Sequence, residues 1–264
     1  MANLFKTVVF LFVILLVPSH TKAWGVLGHR IIGQIAESYL TSDTKREIRK
    51  ILENESVPMS ANWMDFIKSD RSFGYLGKWH YVNFAQGLTF SQLSTLLKKD
   101  TSTNIYTKIN FVTRELKRKD ISLEKKQLYL RILIHLVGDV HQPLHCGKAE
   151  DSGGNDIKVR WFNKQLDLHS LWDSELIGFQ KLSYTEYANS INHPADAQLR
   201  AWQRDDLCKW IFESYQLSDI IYKEAEINSK YSYKYNFDHV NTLNGQLLKG
   251  GVRLAGVLNA IFTD

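Results

Sequence analysis

His135-Leu-Val-Gly-Asp-Val-His-Gln-Pro-Leu-His145 sets three histidines and an aspartate within eleven residues. The stretch closes a segment, 123–141, whose apolar side chains recur at helical spacing. Titratable groups in such a place have two uses: core histidines with satisfied hydrogen bonds, or donors for a metal ion. His135 and Asp139 stand four residues apart, so on a helix they project from one face and one ion can take a donor from each. One such pair is common in helices that bind nothing. A second pair at the same spacing, His169 and Asp173, together with His145 beyond the turn at Pro143, favours a metal.

Working outward, helical patterns cover 27–40, 44–54, 60–69, 89–98, 103–118, 123–141, 169–178, 184–191, one or more segments between 195 and 229, and 238–262. Thr41-Ser-Asp-Thr44 offers the cap for the second of these. The exception is 157–168, whose alternation around Asn163-Lys164 predicts one small hairpin. No repeat or Pro/Gly linker divides the chain. The expectation is an all-α fold: a single, mainly helical domain with one β-hairpin.

Lys6, the apolar run Val8–Val17 and the small residues ending at Ala23 have the layout of a secretory signal peptide. The run is shorter than the roughly 20 apolar residues of a membrane span. Residues 1–23 are therefore expected to be removed, leaving 24–264 as a secreted or periplasmic domain that begins at Trp24. Loss of Lys6 and Lys22 lowers the formal charge from +5 to +3, too mild to argue for nucleic acid by itself. Two cysteines, Cys146 and Cys208, are not a disulfide scaffold, and sequence leaves their pairing open.

Imidazole and carboxylate donors without thiolates suit a catalytic zinc site with open positions. The chain has no Cys-x-x-Cys, His-Glu-x-x-His or P-loop motif, which excludes zinc ribbons, the common zinc proteases and phosphate-loop enzymes. The expected new terminus, Trp24-Gly-Val-Leu-Gly-His29, adds another possibility. A free terminal amine has a reference pKa of about 7.7–8.0 and binds metal once deprotonated.

These motifs resemble the zinc-dependent single-strand nucleases of the S1/P1 type, distant relatives of bacterial zinc phospholipase C. The resemblance runs from Trp24 to the last helix. It rests on Trp24-Gly-x-x-Gly-His29, Trp63-Met-Asp65, Trp79-His80-Tyr-Val-Asn83, His135-x-x-x-Asp139 with His141-Gln-Pro-Leu-His145, Gly153-Gly-Asn155 and Leu168-His-x-x-Trp-Asp173. It implies a phospholipase C/P1 nuclease-like fold and three zinc ions. One would be held by Asp65, His80, His135 and Asp139, and a second by His145, His169 and Asp173. The third would take the Trp24 amine and carbonyl, His29 and a shared Asp139. His141 is either a group that orients a ligand or a satisfied core histidine.

The resemblance further implies hydrolysis of single-stranded DNA and RNA to 5′-phosphates, with a 3′-nucleotidase activity, by water activated for in-line attack on phosphorus. Asp65 would orient that water, Lys68 and Asn155 would stabilise the phosphate, and Gly153-Gly154 would let backbone approach it. Tyr81 would stack a base. Asn83 stands where the fungal enzymes carry aspartate, so their base preference does not transfer. The partners implied are single-stranded nucleic acid and 3′-nucleotides, with no stable membrane association and a monomeric state. A phospholipase C is the nearest alternative, but the five-residue step from Trp24 to His29 and the final Asp173 favour the nuclease. A secreted zinc-binding protein without catalysis is the other alternative, and Lys68 with Asn155 argues against it.

Overall fold

The computed structural model describes residues 24–225 and 230–263, so the expected leader at 1–23 lies outside the described residues. Helix α1 (Val26–Ser38) turns Ile31, Ile32, Ile35 and Ala36 inward, the stripe expected over 27–40. Helix α2 (Ser42–Leu52) starts where the Thr41 hydroxyl accepts the Thr44 N–H.

The helix expected over 60–69 is broken. Two short helices, α3 (Val57–Ser60) and α4 (Trp63–Phe66), flank a turn at Ala61-Asn62, and a 3-10 turn follows over Ile67–Ser69. The Ala61 carbonyl accepts from His135 Nδ1 at 2.7 Å, so tertiary pairing occupies the backbone there. A nine-residue 3-10 helix, Arg71–Trp79, then occupies a stretch for which no regular element was expected.

Helices α5 (Phe90–Lys99), α6 (Ile105–Leu116) and α7 (Leu123–Asp139) begin at the side-chain caps Thr89, Asn104 and Ser122. Strands β1 (Lys158–Trp161) and β2 (Lys164–Asp167) form the expected hairpin, with Trp161 opposite Lys164. Its turn is Phe162-Asn163, one residue earlier than predicted, with Phe162 in the left-handed region at φ 52°. The segment expected as one helix over 169–178 contains α8 (Leu168–Ser170), a π-helical turn (Leu171–Glu175) and α9 (Leu176–Phe179). Helices α10 (Tyr184–Ile191), α11 (Asp196–Arg204) and α12 (Leu207–Glu224) follow. Strand β3 (Lys230–Tyr231) adds to β1 in parallel, and α13 (Tyr233–Phe262) starts about one turn before its expected residue. A two-residue strand carries no periodicity, which is why β3 could not be foreseen.

Close helix packing depends on small residues. A Cβ on Gly33 of α1 would lie 2.7 Å from Pro58 Cα in α3, and one on Gly251 of α13 would lie 2.5 Å from Ile35 Cβ. The resulting core buries the last turns of α7, including Ile132, Leu133, Ile134, Leu136 and Val137. Cys146 and Cys208 are both buried free thiols, so no bridge forms between them. Among the described residues no helix is long and apolar enough to cross a membrane.

Candidate metal centre and cavity

The C-terminal end of α7 carries the centre. His135 and Asp139 are completely buried, one helical turn apart, with Asp139 Oδ2 3.2 Å from His135 Nε2. Gly138 between them has no side chain because α1 presses His29 against it: a Cβ there would stand 2.6 Å from His29 Nδ1. The His29 ring stacks on that of His135 at 3.9 Å between centroids and brings Nε2 to 3.3 Å from Asp139 Oδ1. From the end of the 3-10 helix, His80 Nδ1 reaches Asp139 Oδ2 at 2.8 Å and His135 Nε2 at 3.2 Å. Asp65 Oδ1 lies 3.9 Å from His135 Nε2 and 2.6 Å from Lys68 Nζ.

A second group forms beside the first. His169 Nε2 is 3.2 Å from Asp173 Oδ2, and His145 Nε2 is 4.0 Å from Asp173 Oδ1. His145 is placed by an extended segment: Val82 N–H donates to the His145 carbonyl at 2.9 Å, and Phe84 N–H to Gly147 at 3.0 Å. Thus three sets of potential donors converge: His29, Asp65 and His135; His80, His135 and Asp139; His145, His169 and Asp173. The structure therefore brings together every side chain the sequence had marked as a ligand other than Trp24, whose contribution was to be its main chain. Trp24 itself is fully buried, and the neighbouring Gly25 N–H donates to the Asp173 carbonyl at 2.8 Å. The start of the expected mature chain is thereby tied to the second group.

Backbone carbonyls set the histidine tautomers. His135, His145 and His169 each donate Nδ1–H, at 2.7 Å, to the carbonyls of Ala61, His80 and Gly153 respectively. Their Nε2 lone pairs therefore point inward, the arrangement that orients imidazole ligands. His80 Nε2, His145 Nε2, His169 Nε2, both nitrogens of His29, Asp139 Oδ1 and Asp173 Oδ2 are buried without a hydrogen-bond partner. Lone pairs that face one another across about 3 Å in a dry site repel unless a cation joins them. A tetrahedral ion with bonds of about 2.0–2.1 Å spaces its donors about 3.3 Å apart. The 3.2–3.3 Å contacts of His135 with His80 and of Asp139 with His29 and His135 match that spacing, while His80 Nδ1 meets Asp139 Oδ2 at the hydrogen-bonding distance of 2.8 Å.

The acid–base character agrees. Burial, helped by neighbouring histidines, holds His29, His80 and His145 well below the ordinary imidazole range, so they stay neutral donors. Burial pushes Asp139 up to about 7, with His135 opposing. For His169, burial works against the charge, but Asp173 and the Gly153 carbonyl outweigh it and raise the group to about 9. Burial thus works against charge throughout the site and leaves three of its imidazoles in the neutral form that binds a metal.

Above the centre opens a cavity of about 290 Å³ whose lining includes Lys68, Tyr81, Asn83, Gly153 and Asn155 beside His80, His145 and His169. Asn155 Nδ2 donates to the Ser152 carbonyl at 2.6 Å, which holds its amide at the rim. Tyr81 is 41% exposed, leaving ring surface for a ligand. Gly154 lies behind the cavity lining. It is buried, its N–H is committed to Asp151 Oδ1 at 2.8 Å, and Gly153, not Gly154, lines the cavity. Gly154 adopts φ +83° so that the loop can support His169.

His141 has no contact with the donor groups. Its Nδ1–H donates to Val137 O at 2.7 Å, and its Nε2 accepts from Arg253 Nη1 at 3.1 Å, which makes it a satisfied core histidine. Sequence reasoning missed Gln142, whose Nε2 donates to Asp173 Oδ1 while its Oε1 accepts the Leu144 N–H at 2.5 Å. Only its place inside the 135–145 cluster hinted at it.

The S1/P1 nuclease family model matches residues 24–263. Endonuclease 3 of Arabidopsis thaliana is 29% identical over 267 residues, covering 91% of this chain and 89% of the relative. Nuclease P1 of Penicillium citrinum is 26% identical over 265 residues, covering 90% and 97% respectively. Among solved structures, the alpha toxin from Clostridium absonum aligns with 92% of this chain at a TM-score of 0.45 and 14% identity; this chain spans 64% of the toxin's length.

Proposed function

The chain belongs to the S1/P1 nuclease family, and on that premise we propose that it is a metal-dependent phosphodiesterase that cuts single-stranded DNA and RNA. The observation that carries this reading is the set of buried, partnerless nitrogens and oxygens beneath a cavity whose wall holds Lys68 and Asn155. Three zinc ions fit the donor chemistry. Asp65, His80, His135 and Asp139 would hold one, and His145, His169 and Asp173 another. The third falls to His29, Asp139 and the Trp24 main chain once cleavage frees its amine. Bound there, the ions supply Lewis acidity toward a phosphoryl oxygen and acidify water.

The protein's own groups do the rest. The Lys68 ammonium carries three protons and is anchored by Asp65, so it can donate to a non-bridging phosphate oxygen without losing its position. Asn155 uses one amide hydrogen on Ser152 and keeps the other for the phosphate. Donors preorganised in this way are worth a few kcal/mol when charge grows on phosphorus oxygens. Asp65 Oδ1, partly buried beside Lys68, would orient the attacking water along the line of the leaving 3′-oxygen. The products are then 5′-phosphates, and a 3′-nucleotide is a minimal substrate. Tyr81 stacks one base, which a duplex cannot offer, at about 1–3 kcal/mol. The enzyme is proposed to act as a secreted or periplasmic monomer after cleavage before Trp24.

The test is direct. Mature protein with a verified N-terminus is given single-stranded DNA, RNA and phosphatidylcholine, with zinc and after chelation. Zinc-restored cleavage of the strands alone is expected. Lipid hydrolysis, or zinc binding with no phosphodiester cleavage, would overturn the reading.

A further inference from the structure

The 3-10 helix Arg71–Trp79 runs from behind Lys68 to His80. Runs of this geometry beyond three or four residues are uncommon, and with three residues per turn its side chains align in three rows. Phe73, Leu76 and Trp79 form the inward row: Leu76 and Trp79 are buried, and Phe73 packs edge-on to Trp63 at 5.4 Å. Ser72, Tyr75 and Lys78 form a second row and Arg71, Gly74 and Gly77 a third, all six of them exposed.

Three features of the outward rows lack a structural purpose. Tyr75 is 54% exposed, held by Trp79 at 5.7 Å and Phe73 at 6.3 Å, yet leaves much of its ring uncovered. Neither Arg71 nor Lys78 meets a carboxylate in any ion pair among the described residues, although Asp70 is adjacent and occupied by Ser72. At Gly74 and Gly77 an added Cβ would meet nothing within 4 Å and φ is not positive, so neither packing nor backbone conformation requires glycine. Gly77 also lines the cavity above the metal centre.

From these observations we infer that this helix is a second nucleotide subsite, in which Tyr75 stacks a base of the strand next to the cleaved step while Arg71 and Lys78 hold its phosphates. The inference rests on the nuclease reading for the identity of its occupant, a continuation of the same single strand. An exposed aromatic ring between unpaired cations is the pattern single strands recognise, because every base has a face to stack and every linkage a charge. At about 2 Å per residue the row from Gly77 to Arg71 extends about 12 Å. A stacked strand advances about 3.4 Å per nucleotide, so the ledge reaches well past one unit. Bare backbone at Gly74 and Gly77 lets the sugar-phosphate chain lie close to the helix as it leaves the cavity.

Two measurements test this. The first is fluorescence anisotropy of labelled dT12 on zinc-loaded Asp65→Asn protein, alone and combined with Tyr75→Ala, Tyr75→Phe or Gly74→Glu. Tyr75→Ala is expected to weaken binding about tenfold and Tyr75→Phe less than threefold, because the aromatic face survives. Gly74→Glu fits the open space without disturbing the fold, and its carboxylate should weaken binding at least fivefold. The second is the ratio of kcat/KM for dT12 to that for dTpdT in the otherwise wild-type enzyme, which Tyr75→Ala and Gly74→Glu should each lower about tenfold through KM. Unchanged binding in both variants, or equal losses on dT12 and dTpdT, would overturn the subsite. A wild-type enzyme that cleaves no strand would sink the nuclease reading instead, and the anisotropy would then decide the subsite alone.

Discussion

Asp139 is the residue on which the centre turns, since His29, His80 and His135 all approach its two oxygens. Its partner in importance from the second group is Asp173, and there the supporting contact is Gln142. Groups that orient a metal ligand typically contribute 10–100-fold to metal affinity. Gln142→Leu should therefore weaken binding at the His145/His169/Asp173 group by about that factor, as measured by zinc titration against a competing chelator. Unchanged affinity would mean that Asp173 is held by the helix alone. Asn83 tests recognition. Asn83→Asp exchanges an amide donor for a second acceptor, and an unmet donor or acceptor costs about 1–3 kcal/mol. Relative rates on dA-, dG-, dC- and dT-containing substrates should shift by roughly tenfold for at least one base, while turnover on mixed-sequence strands changes little. An unshifted profile would show that Asn83 does not touch the base. Asp65 and His80 entered only through the resemblance, whereas His135 with Asp139 and His169 with Asp173 were legible as candidate ligands because each pair sits at i,i+4. Gln142 was not, because an uncharged amide inside a turn has no pattern to betray its partner 31 positions away.

At the scale of elements, glycine placement shows which helices must touch. Gly33→Ala would drive a methyl group into the Pro58 backbone and separate α1 from α3, at a cost of about 1–3 kcal/mol. Gly245→Ala on α13 meets nothing within 4 Å and should stabilise by about 0.5–1 kcal/mol through helix propensity. Denaturant midpoints for the two variants should therefore move in opposite directions; a loss for both would mean that α13 is more crowded than its surroundings indicate. Amphipathic stripes and caps made α1, α2, α5, α6 and α10 predictable to within about two residues. The break at Ala61-Asn62 and the 3-10 helix after it were not, because they answer to His135 and to the cavity instead of to local periodicity.

For the molecule as a whole, the candidate metal centre is expected to be structural as well. It joins the first helix, the α4 turn, the end of the 3-10 helix, the end of α7 and the α8 region, and buried atoms of His29, His80, Asp139, His145, His169 and Asp173 there have no hydrogen-bond partner. Ligand present at 100 times its Kd adds about 2.7 kcal/mol, and more when several sites fill. At roughly 2–4 °C per kcal/mol for a chain of this size, chelation should lower Tm by at least 5–10 °C, and zinc should restore it. Calorimetry of mature protein before chelation, after it and after readdition checks this. A Tm indifferent to zinc would show that the folded state tolerates these facing lone pairs.

By itself the sequence determined the helical class, the hairpin, the two candidate pairs His135/Asp139 and His169/Asp173, and the resemblance that pointed to a nuclease and added Asp65 and His80. The class, the hairpin and the two pairs are carried by spacing along one element, where 3.6- or 2-residue periodicity converts position into direction. The tertiary structure decided what joins across elements. It showed that α1 lays His29 on His135 through the gap at Gly138, and that carbonyls of Ala61, His80 and Gly153 select the histidine tautomers. It also set Gly153 in the cavity lining with Gly154 behind it, decided for His141 as a core residue and revealed the exposed row around Tyr75. None of these has a local signature, because a contact between distant segments depends on how helices pack, and packing is decided by the whole core at once.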